Sequence, residues 1–137
     1  MSPRRGQGGR ELGGFRDLPN TRARGAAAED AAERYLCSLG YVIVERNLVT
    51  RQGEIDLVAL DGETLCFVEV KARASAEFGP AIQAVGRRKQ ERLARAAAMF
   101  LARNRSQRPC RFDVLGLDRA EDGSWSFSLV RDAVQVP

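Results

Sequence analysis

The spacing of apolar residues divides the chain into seven elements. From Gly25 to Leu39, the residues Ala28, Ala32, Tyr35, Leu36 and Leu39 recur on one face at about 100° per residue, which predicts a helix. Gly40 follows as its stop. Tyr41 to Thr50 is rich in Val and Ile, and Glu54–Leu60 and Leu65–Lys71 begin with apolar-polar alternation, so three strands come next. Asp61-Gly62 between the last two predicts a two-residue hairpin loop. Pro80 opens a long helix that runs to about Asn104, with Pro80 in its first turn. Its apolar stripe is Ile82, Val85, Leu93, Ala96, Ala97 and Phe100, with Arg88, Arg92 and Arg95 as a basic ridge beside it. Arg111–Leu117 and Trp125–Val130 are two final strands joined by a turn through Asp122-Gly123. Helix, three strands, helix, two strands predicts an α/β (α+β) domain with a mixed sheet and helices packed on it. Residues 1–24 lack this periodicity and are expected to be a flexible basic arm, leaving 25–137 as a single domain.

Composition narrows the function. The longest unbroken apolar run is Ala96–Ala102, seven residues, where a membrane-spanning helix needs ~20. No apolar stretch follows Arg4 and Arg5, so a cytoplasmic protein with no membrane association is expected. The chain has no histidine. Ser-His-Asp and Cys-His catalysis are therefore excluded, as is His-ligated zinc. Cys37, Cys66 and Cys110 show no CxxC spacing and are expected to be free thiols.

The net charge of +4 conceals a segregation. Residues 25–78 carry five basic and ten acidic side chains, while residues 79–108 carry eight basic and one acidic. An acidic helix-and-strand half thus faces a basic helix, a distribution that suits phosphate contacts at the rim of an acidic pocket.

The hairpin carries the candidate chemistry. Glu69 and Lys71 share a face of one strand, and Asp56 shares a face with Glu54 and Val58 on the other. A two-residue Asp61-Gly62 loop pairs Leu60 with Glu63 and Asp56 with Phe67, setting Glu69 diagonally across from Asp56. A three-residue loop would separate the two carboxylates onto opposite faces. Paired carboxylates in a central strand repel each other, and a divalent cation relieves the repulsion. Hard oxygen ligands suit Mg²⁺ or Mn²⁺. The simpler alternative is a Glu69–Lys71 salt bridge at a strand end. Lys89 lies about 40° from Val85 on the helical wheel, inside the apolar stripe. Either it snorkels to solvent or its ammonium is aimed at the acidic site or a phosphate there.

Taken together, these residues resemble the PD-(D/E)xK nuclease superfamily, and more closely the YraN-type family of uncharacterised bacterial proteins. The resemblance is carried by Gly25, Ala28-Glu29, Ala32, Tyr35-Leu36, Gly40-Tyr41, Arg46-Asn47 and Gly53-Glu54-Ile55-Asp56-Leu57. Phe67-Val68-Glu69-Val70-Lys71-Ala72-Arg73, Phe78-Gly79, Val85, Lys89 and Arg111-Phe112-Asp113-Val114 continue it. It spans about residues 24–117. The motif proline before the first acid is replaced by Ile55.

The resemblance implies a restriction endonuclease-like αβββαβ core and similarity to Holliday-junction resolvases. It implies that Asp56 and Glu69 hold Mg²⁺ or Mn²⁺, aided by the Val70 carbonyl, with Glu29 touching the ion directly or through water. Lys71 would orient or deprotonate the attacking water, or stabilise charge on the phosphorus. Lys89, Arg73, Arg88, Arg92 and Arg95 are the expected phosphate contacts. The expected function is a metal-dependent nuclease acting on DNA, plausibly in branched-DNA processing or repair, with a homodimer where two strands are cut. The rival expectation is a nucleic-acid-binding or adaptor protein that keeps the fold without cleaving.

Overall fold

The computed structural model describes residues 21–73 and 87–133. The elements are α1 (Thr21–Ser38), β1 (Val42–Thr50), β2 (Gly53–Asp61), β3 (Thr64–Arg73), α2 (Arg87–Asn104), β4 (Cys110–Arg119) and β5 (Trp125–Val130). All seven match the expected order. α1 opens at Thr21, four residues before the expected start, within what was expected to be the arm; residues 1–20 lie outside the described residues. The stretch 80–86 of the second predicted helix, with Ile82 and Val85, also lies outside them.

The strands form one sheet in the order β1-β2-β3-β4-β5. β3 and β4 are parallel, and the other neighbours are antiparallel. A parallel pair needs a crossover, and α2 lies between β3 and β4 in the chain. The result is a restriction endonuclease-like core with a mixed central sheet.

Alternation along the strands gives each face its own core. Val58, Leu65, Phe67, Phe112 and Val114 pack against Leu93, Ala96, Ala97 and Phe100 of α2. Leu57, Ala59, Cys66, Val68, Leu115 and Leu117 pack against Ala28, Ala31, Ala32 and Leu36 of α1. Phe127 lies over Tyr35 with ring centroids 4.2 Å apart, covering the β5 edge of that face. Leu39, expected on the buried face of α1, is instead 44% exposed, because the helix has already ended. The Tyr41 N–H donates to the Leu36 carbonyl and the Gly40 N–H to that of Cys37, with Gly40 at φ 97°. This is a Schellman closure, which needs a left-handed residue.

The β2–β3 hairpin corrects the expected register. Asp61 pairs with Thr64 and Leu60 with Leu65, so the loop is Gly62-Glu63 rather than Asp61-Gly62. Gly62 takes the left-handed conformation, at φ 62°. Asp61 remains in the sheet, where its Oδ2 accepts a hydrogen bond from Arg111 at 2.7 Å. The shift is two residues, so the paired side chains of Leu57–Asp61 keep their predicted faces. Continued past Leu57↔Val68, the register sets Asp56 opposite Glu69 rather than diagonal to it.

A buried polar network holds the α1 face. Asp113 is 1% exposed. Its Oδ1 accepts from Arg111 Nε at 2.9 Å and from the Asp132 N–H at 3.0 Å, and its Oδ2 accepts from the Tyr41 hydroxyl at 3.1 Å. Arg111 also donates to the Tyr41 oxygen at 2.8 Å, as does Arg131 at 3.1 Å. These bonds tie the α1–β1 corner to β4 and to the segment after β5. Among the described residues, no helix is long and apolar enough to cross a membrane, and the three cysteines are free.

Removing one partner of a buried ion pair strands the other charge. Asp113→Asn is therefore expected to destabilise the fold by about 3 kcal/mol. Tyr41→Phe, which deletes a single hydroxyl from the network, should cost about 1–2 kcal/mol. Urea titrations check both, and equal effects from the two variants would contradict this ranking.

Candidate active site

The site forms where β2 and β3 stop pairing. Arg46↔Leu57 and Leu48↔Ile55 pair on either side of Asn47 and Asp56. Asn47 has φ 57°, a left-handed conformation that Asn tolerates better than most residues. Strict alternation would put Leu48 and Ile55 on the α1 face with Leu57. Both pack instead in the α2 cluster, so the strand pair changes face at Asn47 and Asp56. At this switch the Asp56 carboxylate turns toward β3. Its Oδ2 accepts the Val70 N–H at 2.7 Å, standing in for the carbonyl of a paired strand.

Glu69 is 3% exposed. Its Oε2 receives Lys89 Nζ at 2.7 Å and lies 3.5 Å from Lys71 Nζ. Its Oε1 is buried and has no hydrogen-bond partner. The Asp56 carboxylate stands close enough to Glu69 to feel its charge. Burial first, then the adjacent Glu69 charge, pushes Asp56 up to about 7, against the opposing pull of the Val70 N–H. Burial alone would lower Lys89, but its hydrogen bond and attraction to Glu69 outweigh this and raise it. The two readings of Lys89 are thereby separated: the ammonium is aimed at the acidic site.

The remaining expected residues are less concentrated. Glu29 comes from α1 and is near enough for its charge to push Asp56 upward. Its Oε1, however, sits 3.4 Å from Arg46 Nε, and Arg46 also reaches Asp30 at 2.7 Å and Glu33 at 3.8 Å. Arg46 thus fastens β1 to α1. Among the described residues, no group of three or more His, Cys, Asp or Glu side chains is set to hold a metal ion. Among the described residues the site therefore offers the carboxylates of Asp56 and Glu69, with Glu29 engaged by Arg46. Val70 enters the site through its N–H.

Arg88 and Arg92 are exposed on α2. Arg95 is exposed too, but its Nε donates to Gln52 Oε1 at 3.1 Å, joining α2 to the β1–β2 turn. Arg73 closes β3, and its side chain lies outside the described residues. Gly53 (φ 156°) brings that turn against α2, where an added Cβ would stand 3.5 Å from the Cβ of Arg92.

The family model for the uncharacterised protein family UPF0102 matches residues 28–117. The chain belongs to that family. A UPF0102 protein of Symbiobacterium thermophilum is 46% identical over 114 residues, covering 82% of this chain and 97% of the relative. One from Alcanivorax borkumensis is 48% identical over 103 residues, covering 74% and 82%. One from Chlorobium chlorochromatii is 44% identical over 117 residues, covering 82% and 91%. The UPF0102 match contains Glu29, Asp56, Glu69, Lys71 and Lys89, and also Arg111 and Asp113 of the structural network.

A pH dependence follows from Asp56. Its folded pKa of about 7 lies above the ordinary 3.8, so the folded chain retains a proton that the unfolded chain releases between these values. The stability it contributes is full below about 4 and is lost as pH rises through about 7. Asparagine keeps an oxygen for the Val70 N–H and removes the repulsion from Glu69. With chelator present, Asp56→Asn should raise the thermal midpoint at pH 8 by about 2–6 °C and change it little at pH 5. Equal shifts at the two pH values, followed by calorimetry, would contradict the repulsion.

Proposed function

We propose that this UPF0102 protein is a metal-dependent nuclease that hydrolyses DNA phosphodiester bonds with Mg²⁺ or Mn²⁺. The observation that carries the reading is the Asp56–Glu69 pair, with Glu69 Oε1 buried and unpartnered beside a second carboxylate that burial and repulsion push up to about 7. An orphaned acceptor and two repelling hard oxygens fit a divalent cation. Two carboxylates suffice for Mg²⁺, which usually keeps several waters and takes its other ligands from substrate phosphate.

When bound, such an ion supplies Lewis acidity and charge neutralisation at the scissile phosphate. Asp56 and Glu69 would hold it, and the Val70 N–H fixes the Asp56 carboxylate in place. Glu29, engaged by Arg46, would reach it only through water. Lys71 is 26% exposed at the solvent side of Glu69. There its ammonium can orient the attacking water or offset charge growing on the phosphate oxygens. Arg88 and Arg92 would take flanking phosphates without reading bases. The acidic pocket thus receives the reacting phosphate, and the basic helix takes the rest of the strand. No covalent nucleophile is needed, which suits a chain without histidine. A branched substrate and a homodimer that cuts two strands belong to the same proposal.

A second reading, DNA binding without cleavage, is favoured by one observation: Arg46 already engages Glu29, which leaves two carboxylates where the resemblance implied three. The two readings separate in a cleavage assay on linear, single-stranded, flap and four-way DNA with Mg²⁺ and with Mn²⁺. Wild type is expected to cut at least one substrate. Asp56→Asn and Glu69→Gln should cut at least about 100-fold more slowly while binding DNA within about threefold of wild type. Identical product profiles for wild type and Asp56→Asn would overturn the nuclease reading.

A further inference from the structure

Asp56, Glu69, Lys71 and Lys89 place two carboxylates and two ammoniums around one buried point. Both ammoniums are directed at the same oxygen, Glu69 Oε2, at 2.7 Å for Lys89 and 3.5 Å for Lys71. With both acids ionised the four charges cancel, so a divalent cation entering the cluster meets no net attraction unless one ammonium withdraws. The two lysines differ in their setting. Both carry the same flexible four-carbon stem. Lys71 stands two residues from Glu69 on the same strand, with its side chain 26% exposed. Lys89 arrives from α2, with its side chain 39% exposed and beside the like charge of Arg92. It is the closer of the two to Oε2 and the more open to an incoming anion.

We propose that Lys89 is a tethered counter-ion that competes with the divalent ion for Glu69 and is drawn away by a DNA phosphate, so that metal and DNA bind cooperatively. A phosphate oxygen arriving at the mouth of the site offers Lys89 an acceptor as good as the carboxylate. Its transfer exposes Oε2, next to the unpartnered Oε1, and restores negative charge to the pocket as the ion enters. By linkage, the factor by which DNA tightens metal binding is also the factor by which metal tightens DNA binding. Lys89 is thereby a positioning residue that protects the acidic pocket from cations until a strand is in place. The inference rests on the nuclease reading.

The test compares wild type, Lys89→Gln, Lys89→Arg and Glu69→Gln as full chains, with folding checked by circular dichroism. Mn²⁺ binding without DNA is followed from the resonance of the free ion. Affinity for a four-way junction is followed by fluorescence anisotropy in EDTA and in Ca²⁺. Lys89→Gln is expected to bind Mn²⁺ about 5–20-fold tighter than wild type, and Lys89→Arg within about twofold of it. Ca²⁺ should tighten junction binding about 5–20-fold in wild type and Lys89→Arg, but about twofold or less in Lys89→Gln. Equal Mn²⁺ affinity in wild type and Lys89→Gln, with binding lost in Glu69→Gln, would overturn the counter-ion role and leave the nuclease reading standing. Absence of Mn²⁺ binding in all four proteins would overturn both. Tighter Mn²⁺ binding in Lys89→Gln without Ca²⁺-dependent junction binding in wild type would overturn the exchange with DNA.

Discussion

The carboxylate of Glu69 sits in the middle strand of a five-stranded sheet and is 3% exposed. β2 lies on one side of its strand and β4 on the other, and α2 packs across the face toward which it points. Water cannot solvate a charge there, and an uncompensated carboxylate in such surroundings costs several kcal/mol. The surrounding charges follow from that requirement. Lys89 must come down from α2, Lys71 must lie on the same strand face, and Asp56, facing the same point, must hold a proton or share a cation. The charge segregation of the chain is the long-range form of this demand. Residues 25–78 supply the acids and Lys71, residues 79–108 supply Lys89, and the fold brings them together at Glu69.

The domain has a second buried acid, and the contrast separates structure from function. Asp113 is as deeply buried as Glu69, but both of its oxygens accept hydrogen bonds, from Arg111, Tyr41 and the Asp132 backbone. A network satisfied at every atom rigidifies and specifies a core. Glu69 has one oxygen held by the half-buried Lys89 ammonium and the other without a hydrogen-bond partner. Leaving a buried acceptor unsatisfied costs about 1–3 kcal/mol, a cost that a cation bound between Glu69 and Asp56 would remove. Both acids lie within the stretch matched by the family model. Family membership alone therefore does not tell the two acids apart, whereas their hydrogen bonding does.

The element order, the mixed sheet and the shared face of Asp56, Glu69 and Lys71 were legible because period-two and period-3.6 patterns are local. Parity also survived the error in the hairpin. Asp61-Gly62 is a strong loop signal, but Arg111, fifty residues on, holds Asp61 in the sheet, and a local pattern carries no trace of that bond. The role of Asn47 was hidden for a related reason. Its left-handed backbone matters only because Asp56 lies opposite, where the strand pair changes face. The partners of Arg46 are likewise remote from any local pattern: they are acids on α1, one of them Glu29. Spacing pointed to Asp56 and Glu69, and the family resemblance added Glu29 as a third site carboxylate. Only the ion pair shows that one of them is already engaged.

The wheel position of Lys89 was the most informative single cue, and the reason is energetic rather than statistical. A lysine within the apolar stripe of α2 must either escape to solvent or find an anion beneath the helix. Escape is easy near the edge of a stripe, so position alone leaves both outcomes open. The buried glutamate on β3 breaks the tie, because each charge removes the other's desolvation cost. α2 is then divided by function along its turns. Leu93, Ala96, Ala97 and Phe100 fix its distance from the sheet, and Lys89 reaches inward to Glu69. Arg88 and Arg92 are exposed. A helix whose bases served only solubility would have no need to send one of them into the core. The same element therefore neutralises the acidic pocket and, on the nuclease proposal, presents the charge that would hold a strand of nucleic acid beside it.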